Sequence, residues 1–130
     1  ERQIRRCGDL LHAEQKVQGQ LRDDISTLQA VYACFPPASV TGAPKEAALT
    51  YIRDFEPVDR TWYTGSFWFI DLRGHPTWNV LIRTLQGSHH DDCMKAHLNI
   101  GAGIVYDSEP EAEWLETMAK GRAIMRVLRN

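Results

Sequence analysis

Cysteine, long apolar runs and net charge are what this 130-residue sequence has little of. Cys7, Cys34 and Cys93 are odd in number, widely spaced and without metal-type pairing. That excludes a disulfide framework and reads as reduced thiols in a cytoplasmic protein. No stretch approaches the ~20 apolar residues that span a bilayer, and no signal-peptide pattern opens the chain. With 15 Lys and Arg against 17 Asp and Glu, the formal net charge is −2. Nothing in that balance points to nucleic acid or a membrane surface as partner. The basic residues Arg2, Arg5 and Arg6 form a short, interrupted cluster that reads as a solvated face. Internal repeats, low-complexity tracts and linkers are missing too. A composition 43% hydrophobic and 25% charged then describes a single soluble domain over residues 1–130. The first residue is Glu1 rather than Met, which implies that something has been removed upstream.

What is present reads as α+β, an antiparallel sheet with packed helices. Residues 1–10 are polar and carry no pattern. Leu11 to Leu21 alternates apolar or small residues with polar ones, as a half-buried strand does, although Glu, Gln and Lys favour helices. Asp23-Asp24 can cap a helix running to about Cys34, with Ile25, Leu28, Val31 and Tyr32 as its apolar stripe. Pro36-Pro37 stops it. Residues 38–45 form a loop into a second helix that buries Ala47, Ala48, Tyr51, Ile52 and Phe55 and ends at Pro57. Lys45 and the free N–H groups of that helix start make a natural anion seat, though a solvated first-turn lysine is commoner. The remainder predicts a meander: Trp62 to Leu72, a turn at Arg73-Gly74-His75, and a return from Thr77 to Leu85. Gln86 to Asp92 reads as a polar turn and Cys93 to Val105 as the next strand. His89 and His90 are adjacent, read as loop residues, and do not suit a joint metal site.

The most informative stretch is residues 101–120. Gly101, Ala102 and Gly103 open an apolar run that reads as a strand end approached closely by backbone or ligand. Ser108 is a good N-cap, with Pro110 in the first turn and Glu111 completing a capping box. Trp114, Met118, Gly121, Met125 and Leu128 recur at helical spacing and are expected to face the core. Glu113, Glu116 and Lys120 fall within about 60° of one another on another face, at ~100° per residue. Two carboxylates and an ammonium beside a glycine-rich strand end suit a hard cation and an anionic ligand. Spacing alone equally allows Glu116 and Lys120 to be a surface ion pair worth ~0.3–0.5 kcal/mol.

Gly101 to Lys120, read as G-A-G-I-V-x-D-S-x-P-x-x-E-x-x-E-T-x-x-K, resembles the C-terminal signature of the chorismate-utilising enzymes. That family includes anthranilate synthase component I, aminodeoxychorismate (para-aminobenzoate) synthase component I, isochorismate synthase and salicylate synthase. The resemblance covers most of the chain from about His12. Phe35 to Lys45 is similar to F-P-x-G-S-x-T-G-A-P-K, Arg60 to Ser66 to R-x-x-Y-x-G-S, and Leu81 to Leu85 to the family's I-R-T strand. The resemblance implies Glu116 as a direct Mg²⁺ ligand, with Glu113 binding the ion directly or through water. It implies Tyr63 and Arg83 on the enolpyruvyl carboxylate, with the N–H groups of Gly101, Ala102 and Gly103 lining the same pocket. Lys120 would sit near the ring carboxylate, His12 would face the C4 hydroxyl as a general acid, and Ser39 would contact substrate from the loop before Gly42. Chorismate is a small dianion, and a cation at each end matches it. Without the resemblance, Tyr63 reads as a core tyrosine and Arg83 as a surface strand residue.

The chain departs from the family pattern at Ala38 and Trp68, where glycine is usual, and Trp68 is expected to crowd the sheet or pocket. Family enzymes are several times longer, with a large α/β sandwich assembled from two halves, so this sequence resembles the C-terminal part alone. An edge and an apolar face would then stay open unless the missing N-terminal half or a second copy covers them. Thr41-Gly42-Ala43-Pro44-Lys45 resembles the members coupled to a glutamine amidotransferase subunit. Trp62 to Ser66 leans toward aminodeoxychorismate synthase, of para-aminobenzoate and folate synthesis, over anthranilate synthase. The rival from another class is a non-catalytic, truncated chorismate-binding-like domain.

Overall fold

The fold, taken from a computed structural model, is described for residues 2–7 and 10–128. It is α+β. Three two-stranded antiparallel sheets and four helices occur among the described residues, and the chain divides into two compact units, Glu1–Ala33 and Cys34–Asn130.

The first unit holds β1 (Arg2–Cys7), β2 (Leu10–Gln15) and most of α1 (Thr27–Cys34). β1 pairs with β2 so that Arg5 stands opposite His12, and Arg5 reaches Glu14 across the ladder at 3.5 Å. The strand expected over residues 11–21 ends at Gln15, and a partner strand forms in the segment that carried no pattern. Cross-strand pairing, which alternation cannot report for a polar strand, sets it. The cap of α1 is Ser26, not Asp23-Asp24. The Gln29 N–H donates to Ser26 Oγ at 3.3 Å, and the Ser26 N–H donates to Gln29 Oε1 at 2.8 Å. That reciprocal box satisfies two orphan donors, whereas Asp24 pairs with Arg22 at 3.1 Å.

In the second unit the expected loop at 38–45 contains a helical turn, α2 (Ala38–Thr41), before α3 (Lys45–Phe55). Gly42 lies between them at φ 110°, and an added Cβ would meet that of Ala48 at 3.0 Å. The position therefore demands glycine on both counts. On α3, Ala48 and Ile52 are half-buried, while Tyr51 and Phe55 are exposed and lie 6.0 Å apart, ring to ring. The long strands expected next are short: β3 (Trp68–Ile70) and β4 (Pro76–Trp78). Asp71 Oδ1 shapes their turn by accepting the N–H groups of Arg73 and His75 at 2.9 and 2.8 Å. Beyond β4 the pairing continues irregularly. Asn79 N–H donates to Phe67 O, Leu81 N–H to Gly65 O and Thr64 N–H to Leu81 O, at 3.1, 2.9 and 2.8 Å.

The polar turn expected at Gln86 to Asp92 is instead mostly strand. β5 (Leu85–His90) and β6 (Cys93–Leu98) form a hairpin turned by Asp91-Asp92, with Asp91 at φ 52°. Aspartate tolerates that left-handed backbone. The hairpin is exposed along nearly all its length, so no alternation marked it, and His89 and His90 are strand residues. The last element is α4 (Pro110–Leu128). Of the stripe expected to face a core, Trp114, Met118, Met125 and Leu128 are 42–60% exposed, and only Gly121 is buried. The covered side runs through Glu113, Thr117, Lys120, Gly121 and Ile124. Gly121 explains the rotation: an added Cβ would meet Ile100 Cδ1 at 2.8 Å, so the helix makes its close approach through its smallest residue.

Among the described residues only Thr64 and Gly121 are buried, and no hydrophobic side chain is. Cys34 and Cys93 are free and exposed, and the Cys7 side chain lies outside the described residues. No described helix is long and apolar enough to cross a membrane. Trp68 stands directly opposite Trp78 and stacks on it, centroids 5.9 Å apart at 23°. Such a pair adds about 0.5–1.5 kcal/mol beyond area burial. Trp78→Ala should therefore lower the urea midpoint and remove a near-UV dichroism band; an unchanged midpoint would show that the stack adds no stability.

Candidate functional site

The site gathers around Gly101, just beyond β6. Lys120, one-fifth exposed on the covered face of α4, donates from Nζ to Gly101 O at 3.2 Å and pairs with Glu116 Oε1 at 2.7 Å. From the opposite segment comes Tyr63: a Cβ added to Gly101 would meet the Tyr63 hydroxyl at 2.9 Å. A residue without a side chain is what allows a phenol to approach the backbone there. Tyr63, Gly101, Glu116 and Lys120, four residues singled out in the sequence, are thus linked in space.

Glu113 lies on the same helix, one turn before Glu116. The capping box expected of Ser108 and Glu111 does not form. Ser108 Oγ instead donates to Glu113 Oε1 at 2.6 Å and accepts the Val105 N–H at 3.0 Å. The Ser108 oxygen thus accepts from the segment before the helix, and its proton goes to the Glu113 carboxylate in a charge-assisted bond. Ala102, Ser108, Glu113 and Trp114 line an open concavity of about 350 Å³. Among the described residues, no three His, Cys, Asp or Glu side chains cluster tightly enough to hold a metal by themselves. Glu113 Oε1 is engaged by Ser108 and Glu116 Oε1 by Lys120; carboxylates are the donor type Mg²⁺ takes, one or two at a time, with water and substrate completing its shell.

Tyr63 is half-buried, and desolvation pushes its phenol above the usual tyrosine range, against a smaller downward pull from the Arg60 cation. The neutral phenol therefore persists across the physiological range as a hydrogen-bond donor. Arg60 was not among the residues expected to act. Its guanidinium grips Glu56 with Nε–Oε2 at 2.8 Å and Nη2–Oε1 at 2.5 Å, and donates from Nη1 to Val40 O at 2.8 Å and Thr64 Oγ1 at 3.3 Å. Its Cζ lies 5.6 Å from the centre of the Tyr63 ring. The only sequence signal for it is its place at the head of R-x-x-Y.

The other expected residues are placed as follows. Ser39 is exposed on α2, next to the Val40 that Arg60 holds. Arg83 is half-buried, on a bend at φ 52° rather than on the expected strand. The Thr64 to Leu81 hydrogen bond sets Tyr63 and Arg83 on neighbouring segments. Gly103 is exposed and an added Cβ there would meet nothing within 4 Å. His12 is half-buried on β2 and belongs to the first unit.

A family model described as "chorismate binding enzyme" matches residues 1–126, and the chain belongs to that family of chorismate-binding enzymes. It is 38% identical over 127 residues to anthranilate synthase component 1 1 of Haloarcula marismortui, covering 98% of this chain and 25% of that relative. It is 36% identical over 125 residues to anthranilate synthase component 1 of Acinetobacter calcoaceticus, covering 96% and 24%. The Aquifex aeolicus enzyme of the same name is 37% identical over 125 residues, at 96% and 24% coverage. The chain thus spans about a quarter of the length of these curated relatives.

The Tyr63–Gly101 contact makes a direct prediction. Gly101→Ala should destabilise the chain by about 1 kcal/mol, as modest overpacking does. Most of that loss should vanish in a Tyr63→Phe background, which removes the opposing hydroxyl. Equal losses in both backgrounds, read by urea unfolding, would show that the hydroxyl does not press on Gly101.

Proposed function

We propose that this chain carries part of the chorismate site of an anthranilate synthase-type enzyme. The observation that carries the reading is the convergence of Tyr63 and Lys120 on Gly101, with Glu116 bound to that lysine. The leaning toward aminodeoxychorismate synthase taken from Trp62 to Ser66 gives way here, because the relatives cited above bear the anthranilate synthase name. The reaction would convert chorismate and ammonia to anthranilate, pyruvate and water.

Each residue then has a chemical task. Arg83 and the Tyr63 hydroxyl take the enolpyruvyl carboxylate, the arginine through its fork of donors. The N–H groups of Gly101, Ala102 and Gly103 line the same pocket. Lys120 supplies positive charge near the ring carboxylate, and Ser39 contacts substrate from α2. Glu113 and Glu116 would hold Mg²⁺, which when bound supplies positive charge to neutralise the ring carboxylate. The resemblance gives His12, on β2, the part of general acid toward the departing C4 hydroxyl. Ammonia would come from a glutamine amidotransferase subunit.

A second reading is supported by the exposure of the apolar residues. Phe55, Trp62 and Phe67 are 67–79% exposed and no hydrophobic side chain among the described residues is buried, as in a chain whose apolar residues are completed by a partner. In this reading the chain binds chorismate without turning it over, and another polypeptide covers those residues. Product analysis separates the two. The purified chain would be incubated with chorismate, Mg²⁺ and ammonium, with Glu116→Ala as control. Anthranilate from the wild type and at least about tenfold less from the variant is expected of the enzyme, for loss of about 1.4 kcal/mol of transition-state stabilisation. Aminodeoxychorismate as product would overturn the assignment to anthranilate synthase, and no product would favour the binding domain.

A further inference from the structure

We propose that Arg60 is a positioning residue, a clasp that fixes Tyr63 and the α2 turn bearing Ser39 in one arrangement for the ligand. The inference rests on the reading of the site as a chorismate site. Arg60 opens the tight turn through Tyr63, whose N–H donates to Arg60 O at 2.8 Å. That turn contains Thr61 at φ 51° and Thr64 at φ 62°. Left-handed backbone at β-branched residues persists only where the surroundings hold it. The Arg60 side chain supplies the hold. It binds the α3 C-cap residue Glu56 with a two-point fork, Val40 O on α2 with Nη1, and the buried Thr64 hydroxyl with the same nitrogen. It also lies over the Tyr63 ring.

Two features separate a positioning role from a binding role. The fork that would grip a substrate carboxylate is already occupied by Glu56, and that carboxylate offsets the cation. Nη1 donates to Val40 and Thr64, so four of the five guanidinium N–H groups are engaged within the protein and Arg60 acts through its neighbours rather than on a ligand. A lysine cannot replace it, because one ammonium cannot reproduce a planar fork and a third, divergent bond. Arginine is required here for geometry as well as for charge.

The test uses the 130-residue chain, ring-labelled tyrosine and amide NMR, and chorismate titrated in the presence of Mg²⁺. In Arg60→Gln the Tyr63 ring and the Ser39 and Val40 amides should shift together, and the Tyr63 phenol should titrate at higher pH. The chorismate Kd should rise about tenfold or more, for loss of charge-assisted hydrogen bonds. Arg60→Lys should weaken binding nearly as much, even though the charge stays. Wild-type affinity in Arg60→Lys, or unmoved Ser39 and Val40 amides in Arg60→Gln, would overturn the proposal. Should Arg60→Gln not fold, Glu56→Gln loosens the clasp with the arginine in place: coupled Ser39 and Tyr63 shifts support the proposal, and independent ones refute it. Absence of chorismate binding in the wild type would instead refute the reading of the site, while the coupled shifts still decide whether the clasp exists.

Discussion

A single residue without a side chain organises the second unit. At Gly101 the backbone is approached by the Tyr63 hydroxyl and held through its carbonyl by the Lys120 ammonium. These three residues come from the turn after α3, the end of β6 and the middle of α4. Any Cβ at Gly101 would push against the phenol, and loss of Lys120 would leave the carbonyl without its cationic donor. Gly121 repeats the principle one residue beyond Lys120, letting α4 approach Ile100. The helix rotation that buries Gly121 also turns Glu113, Thr117 and Lys120 to the covered side. Packing and chemistry are therefore set by the same rotation.

That rotation is where sequence pattern and structure part. Helical spacing correctly located α4 and its start near Pro110, but the apolar stripe named the wrong face. Trp114 and Met118 are the larger apolar residues, yet close approach is governed by the smallest residue, and Gly121 alone satisfied both criteria. Ser108 differs in another way: a serine before a helix signals a cap, but its oxygen accepts the Val105 N–H and its proton goes to Glu113. At α1 the cap was expected at Asp23-Asp24, whereas Ser26 forms it with Gln29 three residues on. The β5–β6 hairpin was invisible for a different reason. Exposed on both faces, it has no amphipathic period to read.

The α+β class of the fold was legible, and so was the nearness of four motif residues. The four residues linked at Gly101 were picked out by motif, since chemistry fixes residue type and spacing more tightly than packing does. Arg60 escaped notice because its role is relational. Nothing in an arginine three residues before a tyrosine reveals that its fork closes on Glu56 and its third donor on Val40. Trp68 misled in the opposite direction. It looked like an obstruction where glycine is usual, and it is accommodated by stacking on a second tryptophan across the hairpin.

The proposed site predicts where chorismate would bind on this chain. The most direct measurement is amide and side-chain chemical-shift mapping of the 130-residue protein during a chorismate titration with Mg²⁺ present. Saturable shifts confined to His12, Ser39, Tyr63, Arg83, residues 101–103, Glu113, Glu116 and Lys120 and their immediate neighbours, with the β5–β6 hairpin unmoved, are the predicted result. Saturable shifts centred elsewhere, or none at concentrations that saturate the family's enzymes, would contradict it.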